Sequence, residues 1–126
     1  MIDALFSQSN YLATKKLLDA TVLRHGAIAS NLANIETPNY KRLDVAPSFQ
    51  SQLQQALVAG DNTQINTVQP ELAVDSTAAS GRTDGNTVLL ESELLKLNQN
   101  MVEHTLETQL VTGALLKMRM AITGRS

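Results

Sequence analysis

The chain reads as mainly α: two long terminal helices that pair as an antiparallel, coiled-coil-like hairpin, with a small polar insert between them. Three observations carry this. An uninterrupted helical-period run of apolar residues fills the last third. A second, weaker one fills residues 9–35. Aromatics make up only 3% of the 126 residues, with no Trp, so the core is expected to be aliphatic helix-on-helix packing, since aromatic side chains dominate thick cores and small-ligand pockets.

The last third sets the rest. Leu94, Leu97, Met101, His104, Thr108, Val111, Leu115, Met118 and Ile122 recur at alternating steps of three and four, a heptad seam with two polar interruptions. Leu95, Val102, Leu106, Leu110 and Met120 form a second row beside it. Together they make an apolar face wider than a two-stranded coiled coil uses. Glu91 and Glu93 stand in the opening turn and Lys117 and Arg119 near the end, as the helix dipole favours. The spacing predicts a helix of about 35 residues over 87–122, roughly 50 Å long. Such a surface exceeds what the chain itself covers, so sister subunits are expected to bury the remainder.

The N-terminal helix is expected over 9–35, with Tyr11, Lys15, Leu18, Val22, His25, Ala29 and Leu32 on one row. Gly26 falls mid-helix, at a cost of about 1 kcal/mol relative to Ala; it is either a tolerated weakness or a point of close approach by a neighbouring helix. Thr37 before Pro38 is pushed out of the helical region. Pro38 and Asn39 then suit the centre of a β-turn, because Asn tolerates positive φ.

Residues 43–86 are polar. Pro47 suits a first helical position, Phe49, Leu53, Ala56 and Leu57 share a face, and Gly60 suits a C-terminal stop, so a short helix is predicted there. Residues 65–68 and 72–74 suggest weak strands on either side of Pro70. From Asp75 to Asn86 there is little to bury, and Ser80-Gly81 and Asp84-Gly85 are turn signals, so a mobile loop is expected, ending where Asn86 or Thr87 caps the last helix. The units are thus 1–42 (helix and turn), 43–86 (insert) and 87–126 (helix).

Several function classes find no support. A formal net charge of −2 offers no basic footprint for nucleic acid. With no Cys there is no thiol nucleophile and no Cys-rich zinc site. His25 and His104 fall on the rows of the two helices and could face one another, but two imidazoles form an incomplete metal set. Register or edge positions suit them better. Paired acids such as Glu103 and Glu107 read as solvated helix faces. No catalytic residue, cofactor, metal or small-molecule substrate is expected. Residues 1–8 lack the basic and apolar regions of a secretory signal.

One stretch has a further meaning. Ala29-Ser30-Asn31-Leu32-Ala33-Asn34-Ile35-Glu36-Thr37-Pro38-Asn39-Tyr40-Lys41-Arg42 resembles the N-terminal signature of the bacterial flagellar axial proteins, those of rod and hook. There a helix carrying Ala-Asn-x-Ile-Ala-Asn runs into Thr-Pro-Gly-Tyr. Asp84-Gly85-Asn86-Thr87-Val88, followed by Glu91 and Glu93, resembles the C-terminal half of the same pattern. The chain departs from it at Asn39 (usually Gly), Leu32 (usually Ile) and Leu89 (often acidic). The motif residues are thus Asn31, Asn34, Thr37, Pro38, Asn39, Tyr40, Asp84, Gly85 and Asn86.

The resemblance implies a structural subunit of the periplasmic rod in the basal body. It would be exported by the flagellar type III apparatus without a cleaved signal, assemble helically and transmit torque. Its partners would be copies of itself, other rod proteins, and export-gate or inner-membrane-ring components at the rod base. The residues expected to pack between subunits are Leu18, Val22, Leu32, Leu94, Leu97, Met101, Val111, Leu115 and Met118. An export chaperone or adaptor gripping another flagellar chain through its amphipathic helices is the alternative that helix layout alone leaves open.

Overall fold

A computed structural model describes residues 7–79 and 81–124. Ser80 and the first six residues of the N-terminal unit lie outside the described set. In chain order the elements are α1 (Gln8–Ala33), β1 (Leu43–Val45), α2 (Pro47–Ala59), α3 (Asn62–Thr67), β2 (Leu72–Val74) and α4 (Leu90–Thr123).

Both long helices form, and they pack against each other. Ser7 caps α1 by accepting from the Asn10 amide at 3.2 Å. Asn31, near the end of α1, bonds Glu93 at the start of α4, and Thr21 further back bonds Asn100, so the pair is antiparallel. With 34 residues against 26, α4 is the longer by about 12 Å at 1.5 Å per residue.

The facing stripes differ from those the periodicity suggests. On α4 the buried residues are Glu93, Asn100, Glu107 and Ala114, spaced by sevens. Leu97 and Val111 are half-buried beside them. Half of the expected seam is therefore displaced by one residue. Leu94, Met101, Leu115 and Met118 are exposed, at 45%, 55%, 48% and 48%; Met118 is on the same face as Asn100, about five turns on, where α4 runs past α1. On α1 the buried set is Ala13, Ala20, Thr21, Ala27, Ile28 and Asn31. Val22, His25 and Ala29 turn outward, while Leu18 and Leu32 are half-buried. Heptad spacing locates a stripe but not the one a neighbour meets. Here small and hydrogen-bonding residues win, because they let the backbones approach and exchange polar bonds. A Cβ on Gly26 would meet nothing within 4 Å, so among the described residues no close approach occurs there.

The apolar core lies on the other side of α1, and the insert supplies it. Val45, Phe49, Leu53, Ala56, Ile65 and Val68 pack on Ala13 and Ala20, with Leu12, Leu23 and Leu57 at the edge. As expected, α2 has Pro47 at its start, and Gly60 stops it in the left-handed conformation at φ 66°. Residues 65–68 are not a strand. Asp61 caps α3 by accepting from the Thr63 and Gln64 amides, and burying Ile65 and Val68 against α1 favours the helical turn. The other expected strand, β2, forms, paired antiparallel with β1 in the register Leu43–Val74, Asp44–Ala73 and Val45–Leu72.

A junction between two helices and an outward apolar face

The residues singled out by the motif converge on one junction where α1 ends and α4 begins. The Tyr40 amide bonds the Thr37 carbonyl at 3.3 Å and Asn39 has φ 62°. This closes a type II turn with Pro38 and Asn39 at its centre. The Asn39 amide donates to the Asp84 carbonyl at 2.9 Å and the Thr87 amide to the Tyr40 carbonyl at 3.0 Å, so the turn docks on residues 84–87. Gly85 has φ 78°, a conformation that favours glycine, and a Cβ there would also push aside the Asn39 side-chain amide.

Asn86 is wholly buried. Its Nδ2 donates to the carbonyls of Asn34, Ile35 and Thr37 at 2.9, 3.2 and 2.8 Å. These carbonyls belong to the turns that end α1 and have no partner within the helix. Its Oδ1 accepts from the Val88 amide at 2.7 Å. Asn86 therefore caps the end of α1 rather than the start of α4. Thr87 does not cap α4 either: its hydroxyl accepts from the Arg42 amide at 2.8 Å, and Leu89 takes the N-cap position with no side-chain bond. Arg82 bonds the Ile35 carbonyl and Asp84, and Lys41 reaches the Gly85 carbonyl at 2.7 Å. The stretch expected to be a mobile loop is thus anchored from Arg82 onward.

Asn31 ties three elements together. Its Oδ1 accepts from the Leu43 amide at 2.8 Å and from Tyr40 OH at 3.2 Å, and its Nδ2 donates to the Leu43 carbonyl at 2.9 Å and to Glu93 at 3.2 Å. Asn34 folds back on the Ser30 carbonyl and accepts from Thr37 Oγ1.

Beneath them lies a buried charge cluster that helical spacing does not reveal. Arg42 Nε meets Glu93 at 2.6 Å, and its Nη1 meets Asp75 at 2.6 Å and Asp44 at 3.1 Å. Arg24 continues the chain of pairs to Asp44 at 3.1 Å and Glu103 at 3.5 Å. Burial disfavours the Arg42 charge, but bonds to Glu93, Asp75 and Asp44 outweigh it and hold the proton more firmly than usual. Burial likewise works against the Asp75 carboxylate, yet Thr77 and Arg42 bring it below the usual carboxylate range.

Away from the junction, α4 presents Leu94, Leu95, Met101, Val102, Leu106, Leu110, Leu115, Leu116, Met118, Met120 and Ile122 to the outside, with Val102 at 68% and Ile122 at 83% exposure. His25 and His104 line a common groove with Thr21, Val22, Asn100, Met101 and Thr105, where His104 Nδ1 lies 3.3 Å from Thr21 Oγ1. Among the described residues no group of three or more metal-ligating side chains converges. None of their helices is long and apolar enough to cross a membrane.

The chain is similar to flagellar basal body rod proteins FlgB of several bacteria. With that of Borrelia hermsii it shares 32% identity over 75% of this chain and 82% of the relative. The chain belongs to the FlgB family. The FlgB of Aquifex aeolicus is 30% identical across 89% of this chain and 91% of its own. That of Bacillus subtilis is 29% identical across 81% and 84%. No family model matches. Within this FlgB-family chain, the motif residues form the lock that joins the two helices, and the expected packing residues divide. Leu18, Leu32, Leu97 and Val111 are half-buried within the chain, whereas Val22, Leu94, Met101, Leu115 and Met118 face out.

Proposed function

We propose that this protein is a structural subunit of the flagellar basal-body rod whose outward α4 face is covered by neighbouring subunits. The observation that carries the reading is that face itself. Twelve large apolar side chains of α4 are exposed among the described residues, whereas lone soluble proteins rarely leave a contiguous patch above a few hundred Å². The α4 residues buried in the α1–α4 contact are Glu93, Asn100, Glu107 and Ala114, with Leu97 and Val111 half-buried, which leaves the rest of its apolar rows to other molecules. Copies of this chain and other rod proteins supply the cover, in head-to-tail helical order. Export-gate or inner-membrane-ring components meet the array at its base.

The rod stands in the periplasm, and its subunits leave the cytoplasm through the flagellar export apparatus without a cleaved signal. Torque passes along the array because each buried row resists sliding past its neighbour. The locked junction and the Arg42 cluster keep each subunit's two helices in fixed register. FlgB-family membership speaks for a rod component and against a free chaperone.

Met101→Ser with Leu115→Ser tests this. Both positions are about half exposed, so the isolated chain should keep its stability within about 0.5 kcal/mol, while a strain carrying the pair should be non-motile. A fully motile strain would remove the apolar face from the assembly.

A further inference from the structure

A second feature of the α1–α4 contact is not explained by packing. Two buried acceptors lack partners: Asn100 Oδ1 and Glu107 Oε2. Their residues are 3% and 9% exposed, and both line one cavity of about 350 Å³ between α1, α2 and α4. Asn100 spends its Nδ2 on the Thr21 carbonyl at 2.8 Å, which fixes the amide and leaves Oδ1 unused. A buried carboxylate without a full counter-charge is costly, and a hydrogen bond to Thr21 with the field of Arg24 offsets only part of the burial. Arg24 is engaged with Asp44 and Glu103. Lys96 lines the cavity eleven residues from Glu107, about 16 Å along the helix. The cavity lining thus carries Asp44, Glu103 and Glu107 against Arg24 and Lys96, an excess of one negative charge. Two acceptors and an excess negative charge suit a cationic donor.

We propose that this cavity receives the guanidinium of Arg119 from a second copy of the chain, paired with Glu107, while Asn100 Oδ1 accepts a further donor of the same segment. Arg119 is exposed, and its side chain has no partner among the described residues. It lies on the outward strip of α4 between Met118 and Met120. Its own Glu107 is twelve residues back, about 18 Å along the axis and beyond a side chain's reach, so only another molecule's cavity can take it. Two parallel copies offset by that distance repeat the contact indefinitely, an open heterologous interface. A planar guanidinium suits a buried carboxylate better than an ammonium does. The inference rests on the self-assembly proposed above.

The test is sedimentation velocity on the full-length chain, with helicity checked by circular dichroism. Arg119→Gln and Glu107→Gln should each weaken self-association at least tenfold, as loss of one partner of a desolvated charge pair does. The double variant should be no weaker than the worse single one. Arg119→Glu, at an exposed position that leaves folding intact, should abolish association and covers the case in which Glu107→Gln misfolds. Wild-type association by Arg119→Gln, or losses that multiply in the double variant, overturns the pairing. If Leu115→Ser still lowers association in that case, the apolar reading survives. A wild-type chain that stays monomeric at all concentrations overturns both.

Discussion

Glu93→Gln should destabilise this protein far more than its near-identical shape suggests. Glu93 is fully buried, and both its oxygens face donors. Oε1 accepts from Arg42 Nε at 2.6 Å and Oε2 from Asn31 Nδ2 at 3.2 Å. A glutamine must place its NH₂ on one of those two sides, so whichever way it flips, a donor meets a donor. Leaving a buried group unsatisfied costs about 1–3 kcal/mol, and losing a hydrogen bond to a charged group about 1.5–3 kcal/mol. Asp44 and Asp75 still hold Arg42, which limits the loss. We expect about 3 kcal/mol, a large share of the roughly 5–15 kcal/mol of a typical domain. Urea unfolding followed by far-ultraviolet circular dichroism measures it. A Glu93→Gln midpoint corresponding to less than about 1 kcal/mol would refute the idea that this carboxylate holds the junction.

Two further outcomes follow from the same geometry. Gly85→Ala forces a Cβ onto Asn39 Oδ1 at a positive φ and should cost over about 1 kcal/mol, read as a lowered melting temperature; an unchanged one would mean that the turn shifts freely. Glu107 is held above the usual carboxylate range by burial, with Glu103 adding to the shift while Thr21 and Arg24 oppose it, and Asp44 and Lys96 line the same cavity. The folded chain therefore binds this proton more tightly than the unfolded one, so Glu107's contribution to stability is greatest below the ordinary carboxylate pKa and is lost as pH rises through the raised one. Glu107→Gln should flatten that part of the pH–stability curve, and an unaltered curve would show that Glu107 titrates normally.

The sequence shows the large elements and hides which way they face. Pro47 and Gly60 bound α2 because each acts on its own backbone, and Thr37-Pro38-Asn39-Tyr40 is legible as a turn for the same reason. The orientation of α1 and α4 is not legible, because apolar spacing marks a stripe without naming its neighbour. Leu94 and Met101 have the right period, yet Glu93 and Asn100, one residue back, are the ones buried. Glu93 reads as a first-turn acid that complements the dipole. Only the pairing of β1 with β2, which brings Arg42 beside Asp75, makes it a buried counter-ion. For the Ile65 segment, Asp61 is a legible capping signal for a helical turn. The polar look of the insert concealed that its few apolar residues form the core.

The junction also constrains the order of folding. Asn86 must meet carbonyls some fifty positions earlier in the chain, and closing so long a loop delays the contact. Until it closes, α1 has an unfinished end and Arg42 lacks Glu93. An emerging polypeptide therefore has its two long helices unjoined until its second half arrives, so the rigid junction is among the last parts of the molecule to form.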